Sequence, residues 1–280
     1  MFSRKMLAKM IDYTVLRPDL SRDDILDVCA TCLRYHFAAV VIQPYWVRVV
    51  ARELRGSDVK VCAPIGHPFG TTTIATKVIE AKGAIAGGAT ELDVMVNLGA
   101  IKSRKLKTAR QDIQEVVNVA SASRLTQEGS GEIMVKLCVE TGYLTDEELK
   151  MACEIGRDAG VDFIKTCSGY GPRGATLDDI RKVRSVVGRE IGLKASGGIG
   201  TLRDAVKMLD AGANRIGASA AVGIVDEAPE EDDESLGRRR RRRRSVSSLI
   251  EDVEPEAEPE AEAEATEEPA EPTIADESES

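Results

Sequence analysis

The sequence predicts an α/β fold, a closed (β/α)8 TIM barrel followed by a disordered, charged C-terminal tail. Three observations carry that prediction. From residue 11 to about 220, short β-branched runs alternate with longer segments of helical period, giving eight βα units, the content of one closed barrel. The runs are nearly continuous in apolar residues, as strands covered on both faces must be. After Val225 the alternation stops, and large apolar residues almost vanish. An open doubly wound sheet is the alternative topology, since alternation by itself does not prove closure.

The elements follow in order. Ile11–Leu16 reads as the first strand, and Ser21–Tyr35 as a helix with Ser21 as N-cap and Asp24 three residues on, where a carboxylate meets orphan amides. Ala38–Gln43 and Val59–Gly66 are the next strands, then a helix over Ile74–Ala86 and a fourth strand over Glu91–Val96. Lys105–Ser123 has helical period and leads to strand Ile133–Glu140. Thr145–Ala159 repeats the capping pattern with Glu148, and Gly160 is placed to end it in a left-handed turn. Strand Val161–Cys167, helix Leu177–Val187 and strand Ile191–Ser196 follow. Helix Thr201–Ala211, capped through Asp204 and ended near Gly212, leads to strand Asn214–Ser219. The domains expected are thus a (β/α)8 barrel over 1–225 and a tail over 226–280.

Charge divides the chain at the same place. Residues 226–280 hold 21 acidic residues against only the seven arginines of the run at 238–244, whereas 1–225 holds 31 basic and 26 acidic residues. The overall charge of −9 therefore belongs to the tail. The mildly basic body suits an anionic small molecule. The tail cannot offset ordering entropy by burial, so disorder is expected, with Ser245–Ile250 as an apolar island able to dock a protein partner. Flanking acidic blocks compete for the arginines, so nucleic acid is not an expected partner. No run is long enough to span a bilayer and no signal-peptide pattern follows Met1, which points to a cytoplasmic protein. The six cysteines, including Cys29 and Cys32, read as buried thiols packed as small hydrophobes.

Three lysines interrupt this pattern. Lys136, Lys165 and Lys194 sit inside strand candidates, where lysine is depleted. Period two assigns faces. Asp93, Met95 and Asn97 point opposite to Leu92, Val94 and Val96, whose apolar character suits the helix ring. The interior set then contains Asp93, Lys136 with Cys138 and Glu140, Lys165 with Phe163 and Cys167, Lys194 with Ser196, and Asp12 with Thr14 and Leu16. A buried ion-pair network holding the barrel together is one reading. Cations outnumbering Asp93 favour another, a lysine whose amine pKa is depressed by burial and by a neighbouring ammonium and which acts as a nucleophile.

Glycines supply the second half of a site. Ser196-Gly-Gly-Ile-Gly200 follows the seventh strand and Ile216-Gly-Ala-Ser219 ends the eighth, the places where barrels cradle phosphate. Gly169-Tyr-Gly-Pro-Arg-Gly174 extends the cluster, with Arg173 as a candidate charge partner.

At these residues the chain resembles the deoxyribose-phosphate aldolases, class I aldolases of the DeoC family, over residues 7–223. The resemblance is carried by Ile11-Asp-Tyr-Thr-Val-Leu16, Ile65-Gly-His-Pro-Phe-Gly70, Gly88-Ala-Thr-Glu-Leu-Asp-Val-Met-Val-Asn97, Val139-Glu-Thr-Gly142, Asp162-Phe-Ile-Lys-Thr166, Lys194-Ala-Ser-Gly-Gly198 and Arg215-Ile-Gly217. It implies a Schiff base on Lys165, perturbed by Lys194, with proton transfer by Asp93 and support from Lys136. It implies substrate or phosphate contacts at Asp12, Thr166, Gly171, Gly197, Gly198, Gly217 and Ser219. No metal and no separate cofactor are implied, the partners are a phosphosugar and an aldehyde, and a homo-oligomer is expected. The chain departs from the family pattern at Tyr13, Val41, Gly200 and Ala220, and its tail has no tyrosine. Two other functions are weighed: a related Schiff-base aldolase acting on a different aldehyde or phosphosugar, and a protein whose tail serves mainly for docking.

Overall fold

The computed structural model describes residues 2–126 and 132–230. The tail expectations, including the 238–244 arginine run, fall almost entirely outside the described residues. Strands β1 (Ile11–Val15), β2 (Ala39–Ile42), β3 (Lys60–Ile65), β4 (Glu91–Met95), β5 (Met134–Cys138), β6 (Phe163–Lys165), β7 (Gly192–Ser196) and β8 (Arg215–Ala218) are all parallel and close into a barrel in sequence order. The closed barrel, not the open sheet, is the fold. Its seam is β1 on β8, with Asp12 opposite Gly217.

Helices alternate with the strands: α1 (Arg4–Ala8), α2 (Arg22–Tyr35), α3 (Val47–Glu53), α4 (Ile74–Ala86), α5 (Leu98–Lys102), α6 (Leu106–Thr126), α7 (Asp146–Ala159), α8 (Leu177–Val187), α9 (Leu202–Asp210) and α10 (Ala221–Asp226). Ser21 and Thr145 form reciprocal capping boxes with Asp24 and Glu148, and Thr201 accepts from the Asp204 amide. Each such cap contributes about 1 kcal/mol. Gly160 ends α7 in the left-handed conformation at φ 78°. The short helices α1, α3, α5 and α10 were not among the expected elements.

Two apolar cores result. The larger lies between the strands and the helix ring and contains Leu92, Val94, Leu137 and Ile164. A small interior cluster of Leu16, Ala39, Val41 and Cys62 plugs one side of the barrel. The rest of the interior is charged. Among the described residues no helix is long and apolar enough to cross a membrane.

The body runs past residue 225. Ala228 is buried, the Arg4 amide donates to Pro229 O at 2.8 Å, and Arg4 Nε donates to Ala228 O at 2.8 Å. Residues 226–230, expected to begin the tail, are thus held against α1, because Arg4 offers donors to carbonyls that a solvated tail would leave to water.

Candidate active site

Strand register stacks the charged side chains. Asp93 is level with Lys136, Lys165 with Lys194, and Lys194 with Arg215. Asp12, Asp93, Lys136 and Lys194 are fully buried, and Lys165 is 1% exposed. Their polar ends meet in a closed ring of alternating charge. Lys136 Nζ donates to Asp93 Oδ1 at 3.2 Å and to Glu91 Oε2 at 2.5 Å. Arg215 Nη1 donates to Glu91 at 3.2 Å and to Asp12 Oδ1 at 2.7 Å. Lys194 Nζ completes the ring, 2.6 Å from Asp12 Oδ2 and 2.9 Å from Asp93 Oδ2. Lys165 hangs from it, donating to Asp93 Oδ2 at 2.8 Å.

The ring contains three cations and three carboxylates, so Lys165 carries the surplus charge. Burial acts against every charge here, but the ring reverses that effect. Asp12, despite burial, is lowered to about 2 by Lys194, Lys136 and Arg215. Asp93 is likewise held well below the carboxylate range by Lys165, Lys194 and Lys136. For Lys165, burial pushes its pKa down, but Asp93 outweighs that and holds it above the ordinary lysine value. This corrects the expectation of a depressed amine. Cations alone would depress it, whereas the structure sets a carboxylate within hydrogen-bonding distance of the ammonium.

Above the ring opens a cavity of about 740 Å³ at the C-terminal ends of the strands. Its lining includes Gly197, Gly198, Gly217 and Ser219, with Gly200 and Arg17 at the rim. Gly197 and Gly198 have φ 92° and 75°, a left-handed backbone that turns the β7 loop across the mouth. Gly217 is a glycine because Lys194 passes beside it: a Cβ there would lie 2.9 Å from Lys194 Cε and 2.7 Å from Ser196 Oγ.

Other expected residues stand outside that lining. Thr166 Oγ1 donates to Ser196 O at 3.1 Å and accepts from the Ser196 amide, tying β6 to β7. Gly171 packs on Glu140, whose Oε1 would lie 2.4 Å from a Cβ there. Asp12 belongs to the ring below. Arg173, a candidate phosphate partner, is instead forked onto Asp179, the carboxylate that caps α8.

Glu91, Arg215, His67 and Tyr170 were given no role in the sequence reading. Glu91 and Arg215 complete the ring, and Phe163 lies under Arg215, 5.8 Å from its guanidinium carbon to the ring centroid. Period two puts Glu91 on the face of Asp93 and Arg215 on that of Gly217, so the signal was present. His67 and Tyr170 meet edge to face at 5.0 Å, and Tyr170 Oη donates across the barrel to Leu16 O at 3.1 Å. Burial, with the Lys165 ammonium adding to it, lowers the His67 pKa to about 4, so its imidazole is neutral. Outside the barrel, buried Lys77 pairs with Asp112 and donates to Met95 O at 2.8 Å, fixing the end of β4 that carries Asp93.

The fold, with this lysine and carboxylate cluster inside the barrel, places the chain among the barrel aldolases, lyases that break carbon–carbon bonds. Residues 6–225 match the family model described as DeoC/LacD family aldolase, and the chain belongs to that family. A deoxyribose-phosphate aldolase of Caldanaerobacter subterraneus subsp. tengcongensis is 47% identical over 221 residues, covering 79% of this chain and 93% of the relative. Among solved structures, the aldolase QR15 superposes with a TM-score of 0.72 at 37% identity, covering 83% of this chain and 97% of its own. The deoxyribose phosphate aldolase of Aeropyrum pernix, described as having a unique tetrameric structure, superposes with a TM-score of 0.73 at 29% identity over 80% and 91%.

Proposed function

We propose that the protein is a class I deoxyribose-phosphate aldolase, reversibly cleaving 2-deoxy-D-ribose 5-phosphate into D-glyceraldehyde 3-phosphate and acetaldehyde. The observation that carries this reading is the buried Lys165 amine held 2.8 Å from Asp93 inside a barrel whose β1, β7 and β8 ends line a glycine-rich cavity. Lys165 gives its ammonium proton to water, and the neutral amine adds to the sugar aldehyde. Loss of water gives an iminium on Lys165. The C2–C3 bond then breaks, its electron pair moving toward the iminium nitrogen to form an enamine, while the C3 hydroxyl gives its proton to the Asp93 carboxylate and becomes the aldehyde of glyceraldehyde 3-phosphate. The enamine carbon takes a proton back, and water releases acetaldehyde. Lys194 and Lys136 aim Asp93 and keep it charged until it takes the C3 hydroxyl proton.

At the far end, Gly197, Gly198, Gly217 and Ser219 form the phosphate cradle, with Arg17 the cation of the lining. Thr166 and Gly171 shape that wall from behind, and Asp12 orients Lys194. By the same likeness, the protein works in the cytoplasm as an assembly of its own copies on a phosphosugar and an aldehyde; the charged sequence beyond residue 230, with its apolar island Ser245–Ile250, serves for docking.

Borohydride reduction in the presence of acetaldehyde, followed by peptide mapping, tests the first step. The expected adduct is on Lys165, at one per chain, and absent from Lys165→Ala. Undiminished labelling of that variant would sink the assignment. The second reading, an aldolase for another aldehyde or phosphosugar, is favoured by the glycine at position 200 and the single cation in the lining. A substrate panel separates the two: negligible cleavage of 2-deoxyribose 5-phosphate beside rapid cleavage of another sugar favours the second.

A further inference from the structure

Glu91 and Arg215 lie two residues before Asp93 and Gly217 on their strands, on the floor side of the ring, and neither lines the cavity. Neither pairs with Lys165, whose ammonium is bonded to Asp93. Yet each closes the ring on the floor side: Glu91 joins Lys136 to Arg215, and Arg215 joins Glu91 to Asp12, which Lys136 reaches only at 4.0 Å across the ring. We propose that Glu91 and Arg215 are positioning residues that, by closing the ring, fix its charge and so set how readily Lys165 gives up its proton. The proposal rests on the reading of Lys165 as the nucleophile.

The groups facing Lys165 leave the ring as the controlling charge. From β4 it meets Asp93, and from β7 the Lys194 side chain in register. Cys138 on β5 and Cys62 on β3 are buried thiols whose pKa values burial raises, so both are neutral. His67, beyond β3, is neutral as well. Lys136 reaches Asp93 from β5 and is kept charged, against burial, by Asp93, Glu91 and Asp12. Asp12 on β1 enters through Lys194. Removing one negative floor charge leaves the ring net positive and disfavours the ammonium of Lys165. Removing the positive one leaves it net negative and favours the ammonium. In a buried, weakly screened site both effects carry through the ring to Lys165.

The test reads imine formation with acetaldehyde by single-turnover reductive trapping between pH 6 and 9. Below the amine pKa the rate follows the neutral fraction, so a displacement of one pH unit is about tenfold in rate. Glu91→Gln is expected to trap about tenfold faster than wild type at a given pH, and Arg215→Met about tenfold slower. The double variant, neutral again, returns to within about threefold of wild type, as does Arg215→Lys. A merely structural role would slow both single variants. Changes of the same sign, or no change in either, overturn the proposal. Should Arg215→Met fail to fold, Glu91→Gln decides alone, and trapping that is unchanged or slower overturns it. Peptide mapping of the wild-type adduct runs alongside. A label elsewhere than Lys165 removes the nucleophile reading, whereas a Lys165 label with undisplaced profiles removes the ring proposal only.

Discussion

Replacing Lys165 by methionine is expected to reduce aldol cleavage to background while costing only about 2 kcal/mol of stability, the value of one charge-assisted hydrogen bond. The reason is its place in the cluster. Lys165 makes a single ion pair, to Asp93 Oδ2, and Asp93 keeps Lys194 at 2.9 Å and Lys136 at 3.2 Å when it is gone. The remaining ring has three cations and three carboxylates, so no uncompensated charge is left buried. The methionine stem fills nearly the same volume in an interior whose neighbours include Cys138 and Phe163. Urea unfolding followed by fluorescence gives the stability, and a coupled dehydrogenase assay for the triose phosphate gives the activity. A loss above about 4 kcal/mol would mean that Lys165 holds the barrel together.

Asp93→Asn should behave in the opposite way. Asp93 is bonded to Lys165, Lys194 and Lys136 together, and Cys62 Sγ donates to it at 3.2 Å. Its removal leaves four cations for two carboxylates, Asp12 and Glu91. Breaking a buried pair in this way costs about 3–5 kcal/mol. The depressed carboxyl pKa gives the sign of the pH effect. A group charged more readily in the fold than in the unfolded chain contributes stability above its unfolded pKa, near 4, and loses it as pH falls through the lower folded value. The difference between wild type and variant is therefore expected to be full at pH 7 and to shrink only in strong acid. Turnover should fall on the order of 10²–10⁴-fold, the usual contribution of a positioned acid–base group. Imine trapping should instead quicken, because the carboxylate that holds the Lys165 proton is absent. Trapping and turnover falling together would show that Asp93 acts in forming the imine rather than in breaking the carbon–carbon bond.

Much of this was legible in the sequence because barrel strands obey a strict rule. Period two separates Leu92, Val94 and Val96 from Asp93, and the same rule sent Asp12, Lys136, Lys165 and Lys194 to one interior. Glu91 and Arg215 obey it too, but they stand at strand starts, where a charge reads as the solvated end of a strand. Only the closed geometry shows that the floor turns them inward. Helix α3 was hidden differently: Val-Arg-Val-Val-Ala-Arg-Glu is β-branched and strand-like by propensity. Burial of Val47 and Val50, one turn apart, decides for helix. Gly171 could not be placed from sequence, since Glu140 fixes it from far along the chain, and Arg173 is taken by Asp179, which the sequence offers only as a helix-start carboxylate. The sign of the Lys165 shift was missed for a related reason. It depends on the distance of one carboxylate, which no spacing along the chain specifies.

The two ends of the site differ in their access to dissolved ions. Every ion pair of the ring is sealed from solvent except at Arg215, whose side chain is 16% exposed, whereas Arg17 in the mouth is 63% exposed. Counterions at 0.15 M screen the exposed charge over about 8 Å but do not enter the barrel. Raising potassium chloride should therefore increase the KM for a phosphorylated sugar while leaving the trapping of plain acetaldehyde unchanged. The enzyme would then keep its carbon chemistry at constant speed across cells of very different salinity, and only its hold on the sugar's anionic end would follow the medium.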